Sequence, residues 1–270
     1  MTGTPDVAAA PASTGRLGIS GLSISFGNRK VVAIDELQLG HGEILGLAGE
    51  SGSGKSITTL AILGLAHTVG ATVSGSITLD GQELTGLPEA KLREIRGRRL
   101  AAIFQSPSTA FNPVYRVGAI LTKALRLHGA AKSEAPDQAA QAMRQVLLSP
   151  DLMKRYPSQL SGGQLQRVAI ALAIALRAEI LLADEPTSAL DVTVQAEVLD
   201  LLRDLRESIG MSILFISHDL AVVAELCDRV AVMRQGLIVE QGPAGDVLSA
   251  PADPYTAELL ASVPKLASQL

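Results

Sequence analysis

The chain has 270 residues, 47% of them hydrophobic, with 23 basic against 27 acidic side chains and a net charge of −4. That length allows a full core and a subdomain, and the near balance of charge gives no global reason to expect nucleic acid or an anionic membrane surface as partner. The one cysteine, Cys227, excludes an internal disulfide framework, fits a reducing compartment and reads as a small buried hydrophobe.

Residues 1–16, MTGTPDVAAAPASTGR, lack the basic region and apolar stretch of a secretory signal. Their Ala, Pro, Ser, Thr and Gly lead us to expect a mobile tail. No uninterrupted apolar run nears the ~20 residues that cross a bilayer. The longest, Val168–Ala183, is broken by Arg177 and Glu179. A soluble chain is expected, meeting a membrane only through a partner.

Leu17–Phe26, rich in Ile, Leu and Phe, predicts a strand that turns at Gly27-Asn28, with Val31–Leu39 as its hairpin partner. Gly42–Ala48 predicts a third apolar strand, running straight into GESGSGKS, Gly49–Ser56. This is the G-x-x-x-x-G-K-[ST] pattern of a phosphate-binding loop, with a strand before it and a helix, roughly Ser56–Leu65, after it. Gly49, Gly52 and Gly54 let the backbone of the loop, with Glu50, Ser51 and Ser53 between them, turn N–H groups inward around phosphates. The pattern sends Lys55 to the β- and γ-phosphates and gives Ser56 to Mg²⁺. The helix aims its positive end at the same anion.

Val73–Leu79 predicts another strand, ended by Asp80-Gly81. Lys91–Arg99 predicts a short helix before strand Leu100–Phe104, which ends at Gln105. Arg93, Arg96, Arg98 and Arg99 read as a solvated face, since the aromatics that would stack bases are missing. From Val117 to Gln159 the β-rich runs cease. Ile120, Leu121, Ala124, Leu125 and Leu127, then Ala139, Met143, Val146 and Leu147, fall at helical spacing across a polar break at Lys132–Asp137. The reading is a small all-helical insertion.

Leu160–Asp191, LSGGQLQRVAIALAIALRAEILLADEPTSALD, combines a polar Gly-Gly turn, an apolar helix, a short buried strand and an acidic turn. Ser161 is placed to cap a helix starting at Gly162-Gly163, whose free N–H groups would attract an anion such as a phosphate. Ile180–Ala183 predicts a parallel strand delivering Asp184 and Glu185 at its C-terminal edge, where α/β sheets bind ligands. One carboxylate can hold Mg²⁺ through its water shell and the next can polarise a water. Val192–Glu207 predicts an amphipathic helix with Val194, Val198, Leu201, Leu202 and Leu205 inward. Ser212–Ile216 predicts a strand ending at Ser217-His218-Asp219, and Arg229–Met233 with Leu237–Gln241 a closing pair around Gln235-Gly236. His41, His67 and His128 fit no ligand spacing and are expected on the surface or in loops.

In this order, these stretches resemble the nucleotide-binding subunits of ABC transporters. LSGGQ matches their signature motif, Ile180–Glu185 their Walker B strand and Ser188–Asp191 their D-loop. The resemblance implies an α/β P-loop NTPase of ABC type, with a mixed sheet core, an antiparallel β subdomain and an all-helical insertion. Residues 17–270 would form one nucleotide-binding domain, with the helical part at about 106–165 and a short tail at about 243–270. The resemblance implies ATP and Mg²⁺ as ligands. It also implies that Phe26 stacks on adenine, that Gln105 contacts Mg²⁺ and the attacking water, and that His218 contacts the γ-phosphate. One chain would not complete its own site. In a head-to-tail dimer Ser161, Gly162, Gly163, Gln164 and Asp191 would face the P-loop of a second ATP-binding subunit.

Two further stretches, SPSTAFNPVYRVG after Gln105 and PADPYTAELLASVP near the end, resemble ATPases of the peptide/nickel uptake branch. These serve dipeptides, oligopeptides, glutathione, nickel and metallophore complexes. The implied partners are a different ATPase chain, two transmembrane permeases at the cytoplasmic face of the inner membrane and, indirectly, an extracytoplasmic solute-binding protein, with no nucleic acid. Many oligopeptide ATPases carry a cysteine-rich extension for an iron–sulfur cluster; with Cys227 alone and an end at Leu270, none is expected. The short form resembles nickel- or metallophore-type subunits, although short peptide-type subunits exist. A soluble ABC protein of repair or translation would carry a coiled-coil insertion or two fused halves, and would leave the PYT tail without purpose. An exporter or lipoprotein-release subunit shares the chemistry, but the tail argues against it. A regulatory module without turnover is disfavoured by Glu185 and His218.

Overall fold

The computed structural model describes residues 15–106, 110–188 and 190–262. Residues 1–14 of the expected N-terminal tail, 107–109 after Gln105, Ala189 of the acidic turn and the end of the C-terminal tail from 263 lie outside the described residues.

Two kinds of apolar pattern build two sheets. Strands β1 (Leu17–Phe26) and β2 (Arg29–Leu39) alternate buried and open positions and pair antiparallel. β4 (Thr72–Leu79) pairs with the other edge of β1, and the two-residue β5 (Gln82–Glu83) closes the order β2-β1-β4-β5. The second sheet is built from β3 (Ile44–Ala48), β6 (Leu100–Ile103), β7 (Ile180–Asp184), β8 (Ser212–Ser217), β9 (Arg229–Arg234) and β10 (Leu237–Pro243), in the order β10-β9-β3-β8-β7-β6. All its pairings are parallel except that of β10 with β9. Strands β3, β7 and β8 are buried at every position. That is why they read as continuous apolar runs rather than as alternation.

Successive residues of these strands enter different cores. Leu45, Leu47, Leu182, Leu214 and Ile216 face the antiparallel sheet, together with Ile19, Ile24 and Ile62. Ile44, Leu181, Ala183, Ile213 and Phe215 face the other way, into the helices. Cys227 lies in this second core, 8% exposed, and burial pushes its thiol pKa up. A Cβ on Gly46 would come 3.1 Å from its Sγ, so it packs as a small hydrophobe.

The helices are α1 (Lys55–Ile62), α2 (Glu89–Ile95), α3 (Val117–Leu127), α4 (Ala135–Gln145), α5 (Gly162–Ala175), α6 (Val192–Ile209), α7 (Leu220–Leu226), α8 (Ala244–Ser249) and α9 (Pro254–Ser262). Helices α3, α4 and α5 form the helical insertion, joined through Leu121, Leu125, Met143 and Val168. Among the described residues no helix is long and apolar enough to cross a membrane.

Some boundaries differ from the sequence reading. α2 stops at Ile95 rather than continuing to Arg99, because Gly97 takes φ +87. Two of the four arginines then turn inward. Arg96 Nε donates to Leu63 O at 2.7 Å, and Arg99 bridges Asp80 and Glu179. Arg93, 76% exposed at its side chain and paired with Glu89, and Arg98, donating to His128 O, stay on the exposed face. α4 ends before Leu147, which takes φ +59 and is 78% exposed. Arg16 is already tied to the body, donating to Glu179 O at 3.1 Å. His41 and His67 are exposed, whereas His128 is half-buried against Gly97, with its pKa lowered by burial and then by Arg98.

Parallel strands end on one edge. Here that edge gathers the ends of β3, β6, β7 and β8, and so brings Gly49, Gln105, Asp184–Glu185 and His218 to one place.

Candidate functional site

The loop after β3 is shaped by two tight contacts. A Cβ on Gly49 (φ +149) would lie 2.2 Å from Met233 O on β9, and one on Gly54 (φ +111) would lie 2.7 Å from Val32 Cγ2 on β2. Only glycine lets the chain pass there. Gly54 is also the cap of α1 and brings no side chain to its first N–H groups.

Lys55, 5% exposed, folds back under this loop. Its Nζ donates to Gly49 O at 2.6 Å, to Glu50 O at 2.7 Å and to Ser53 Oγ at 3.4 Å. Burial lowers its pKa, opposed by the nearby carboxylates of Glu185, Asp184 and Glu50.

Asp184 is 4% exposed at the end of β7, and its Oδ1 has no hydrogen-bond partner. Burial raises its pKa, aided by Glu185 and opposed by a hydrogen bond from Ser56 and the charge of Lys55. A buried orphan carboxylate oxygen beside a serine hydroxyl is a donor set that fits a hard divalent cation such as Mg²⁺.

Glu185 follows at φ +48, a left-handed conformation that is strained for this residue, and its N–H donates to Ile216 O at 2.9 Å. Its carboxylate is held from two sides. Gln105 Nε2 donates to Oε2 at 2.7 Å, and His218 Nδ1 lies 3.1 Å from Oε1. Residues from β6, β7 and β8 thus converge on one acid.

Phe26, Lys55, Ser56, Gln105, Glu185 and His218 line one cleft of about 710 Å³, with Glu50, Ser51, Gly52 and Gly54 along its loop side. Gly49, Ser53 and Asp184 are buried behind it. Phe26 remains 40% exposed at the cleft.

The Gly-Gly turn lies elsewhere. Ser161 Oγ accepts Gln164 N–H at 3.2 Å and Gln164 Oε1 accepts Ser161 N–H at 3.0 Å, a capping box at the start of α5. The box takes up the N–H groups of Ser161 and Gln164, on either side of Gly162-Gly163. Gly162 is exposed, while Gly163 is buried where a Cβ would meet Val194 Cγ1 at 2.3 Å. Asp191 caps α6, accepting Val194 N–H at 3.0 Å. None of Ser161, Gly162, Gly163, Gln164 and Asp191 lines the cleft that holds Lys55.

Sequence reasoning missed three neighbours of the site. Tyr255 accepts the N–H of Glu50 at 3.3 Å, and Leu259 and Ser262 line the cleft. The PYT stretch stood out in the sequence, but nothing in its spacing indicates that α9 folds back onto the loop after β3.

Residues 25–188 match the ABC transporter family. The chain belongs to that family. It is 45% identical over 263 residues to the glutathione import ATP-binding protein GsiA of Salmonella typhimurium, covering 93% of this chain but 42% of that protein. The chain therefore spans less than half the length of that relative. It is 44% identical over 259 residues to the dipeptide transport ATP-binding protein DppD of Haemophilus influenzae, covering 93% of this chain and 78% of that one. Among solved structures, a post-hydrolysis dimer of the ATP-binding cassette MJ0796 bound to ADP and Pi superposes with a TM-score of 0.73 at 25% identity, over 84% of this chain and 98% of that one. The cassette cbiO1 of Clostridium perfringens, at 24% identity and TM-score 0.76 over 88% and 92%, shows the same fold. The expected mixed sheet with an antiparallel sheet and a helical insertion is thus the fold of an ABC ATPase.

The carboxyl of Asp184 leads to a pH-linked prediction. Its pKa in the folded chain is raised above the ordinary 3.8. Between those two values the unfolded chain has lost the proton and the folded chain keeps it. Stability therefore falls as pH rises through that window. Asp184→Asn should raise the Tm of the nucleotide-free protein at pH 7, with the gain shrinking as pH drops toward the carboxylate range. It should also weaken Mg²⁺-dependent nucleotide binding. A lower Tm at pH 7 contradicts the assignment.

Proposed function

We propose that residues 17–270 form one ABC nucleotide-binding domain that hydrolyses ATP to energise a solute importer at the cytoplasmic face of the cell membrane. The observation that carries the reading is the meeting of Lys55, Ser56, Gln105, Glu185 and His218, from separate strand ends, in a single cleft. Lys55 and the N–H groups of the loop offset the charge of the β- and γ-phosphates. Ser56 and Asp184, with Gln105, would hold Mg²⁺, which when bound supplies charge compensation at the transferring phosphoryl oxygens. Glu185, steadied between Gln105 and His218, accepts a hydrogen bond from the attacking water and draws off its proton. His218 reports the γ-phosphate to that carboxylate, and Phe26 offers its face to the adenine.

The Ser161–Gln164 turn and Asp191 lie outside the cleft, with Ser161, Gly162 and Asp191 exposed. This supports a head-to-tail pair with a second ATPase, each completing the other's site. The helical insertion would receive two permease subunits, with a solute-binding protein on the far side of the membrane. Dipeptide and glutathione are the solutes named for similar proteins, which favours a peptide substrate.

Glu185→Gln should keep ATP binding near wild type while reducing turnover by about 100-fold or more, measured as phosphate release under saturating ATP. Turnover close to normal would remove Glu185 from this role. In cells carrying Lys55→Ala, uptake of a labelled dipeptide or glutathione should be lost. Loss of labelled nickel uptake alone would move the chain to the metal branch of the family, and unchanged uptake of all three would contradict import.

A further inference from the structure

Helix α9 meets the phosphate-binding loop through a side chain that the proposed chemistry does not use. Tyr255 is 4% exposed, and its hydroxyl accepts the N–H of Glu50 at 3.3 Å. The carbonyl of that same peptide unit, Gly49 O, accepts Lys55 Nζ at 2.6 Å. A peptide unit is planar, so one rigid plate has the tyrosine at one end and the lysine at the other. The plate has little room to tilt, because Gly49 is pressed on Met233 O, where a Cβ would stand 2.2 Å away. The next carbonyl, Glu50 O, also accepts Lys55 Nζ, at 2.7 Å.

The helix itself is well anchored. Glu240 on β10 accepts the N–H groups of Ala252 at 2.8 Å and Asp253 at 3.2 Å, and Asp253 Oδ1 accepts that of Tyr255 at 2.8 Å. The Arg234 guanidinium lies 4.6 Å from the centre of the Tyr255 ring. One to two turns further along, Leu259 and Ser262 line the same cleft as Phe26 and Val31.

We propose that Tyr255 is a positioning residue for the phosphate-binding loop and that α9 forms one wall of the nucleotide cleft. Nucleotide affinity is then set in part by this C-terminal helix. Tyr255 touches no phosphate; it acts by fixing the Gly49–Glu50 peptide, whose carbonyl orients Lys55. Leu259 acts directly, as an apolar surface beside the bound nucleotide. The inference rests on the ATP-binding reading above.

Tyr255→Phe in the full chain keeps the ring and its Arg234 contact and removes the hydroxyl that accepts the Glu50 N–H. The Kd for a fluorescent ATP analogue, and the KM for Mg-ATP, should rise about three- to tenfold, with kcat at saturating ATP and Tm close to wild type. A role confined to holding the fold predicts the opposite pattern, a lower Tm with unchanged Kd, and that result overturns the proposal. Leu259→Ala, at a half-buried position, decides the matter if Tyr255→Phe does not fold. A raised Kd supports the wall, and an unchanged Kd removes it. The two readings fail differently. A wild-type chain that binds no nucleotide sinks the ATPase assignment, whereas wild-type binding matched by both variants sinks only the role of α9.

Discussion

Taking an ammonium out of water costs several kcal/mol unless acceptors and opposite charge surround it. Lys55 is buried and has both: two loop carbonyls and a serine hydroxyl within hydrogen-bonding distance, and the charges of Glu185, Asp184 and Glu50 nearby. Much of the local architecture serves that arrangement. Gly49 and Gly54 let the loop pass Met233 and Val32 closely enough to turn its carbonyls inward. The parallel register of β3, β8 and β7 places the carboxylates within reach. A phosphate entering the cleft would meet a lysine held by the loop carbonyls, which are the partners it would exchange.

The same edge of the sheet holds the least comfortable groups described. Asp184 keeps an orphan oxygen in the interior, and Glu185 adopts a left-handed backbone conformation that few side chains tolerate. Below them the strands are buried at every position, packed on both faces by two separate cores. A rigid sheet with strained, desolvated acids at its carboxyl edge is what a prearranged cation and water site requires. Stability concentrated in β3, β7 and β8 is what allows those two residues to stay in place.

Much of this was legible in the residues. The loop pattern Gly49–Ser56, the buried runs before it and before Asp184, and the change to helical spacing after Val117 each follow from local chemistry, because one side chain's neighbours in sequence decide its backbone there. Gln105 and His218 were legible only as positions resembling those of a family, since a polar residue after a strand says nothing of which acid it will meet. The contact of Tyr255 with Glu50 joins residues 205 positions apart and leaves no periodic trace. The inward turn of Arg96 and Arg99 was hidden for a related reason: their partners Leu63, Asp80 and Glu179 come from other parts of the chain. The exposed Ser161 and Asp191 are legible in the chain as helix caps.

The central claim is that one chain presents a phosphate site and a cation site that act together. Calorimetric titration of the full wild-type chain with ATP, first with Mg²⁺ and then with a chelator, tests it most directly. The account predicts binding in both conditions, tighter with Mg²⁺, with the Mg²⁺ increment depending on pH because the carboxyl of Asp184 must be ionised to take the cation. ATP binding that is indifferent to Mg²⁺ at every pH, or no binding at all, would contradict it.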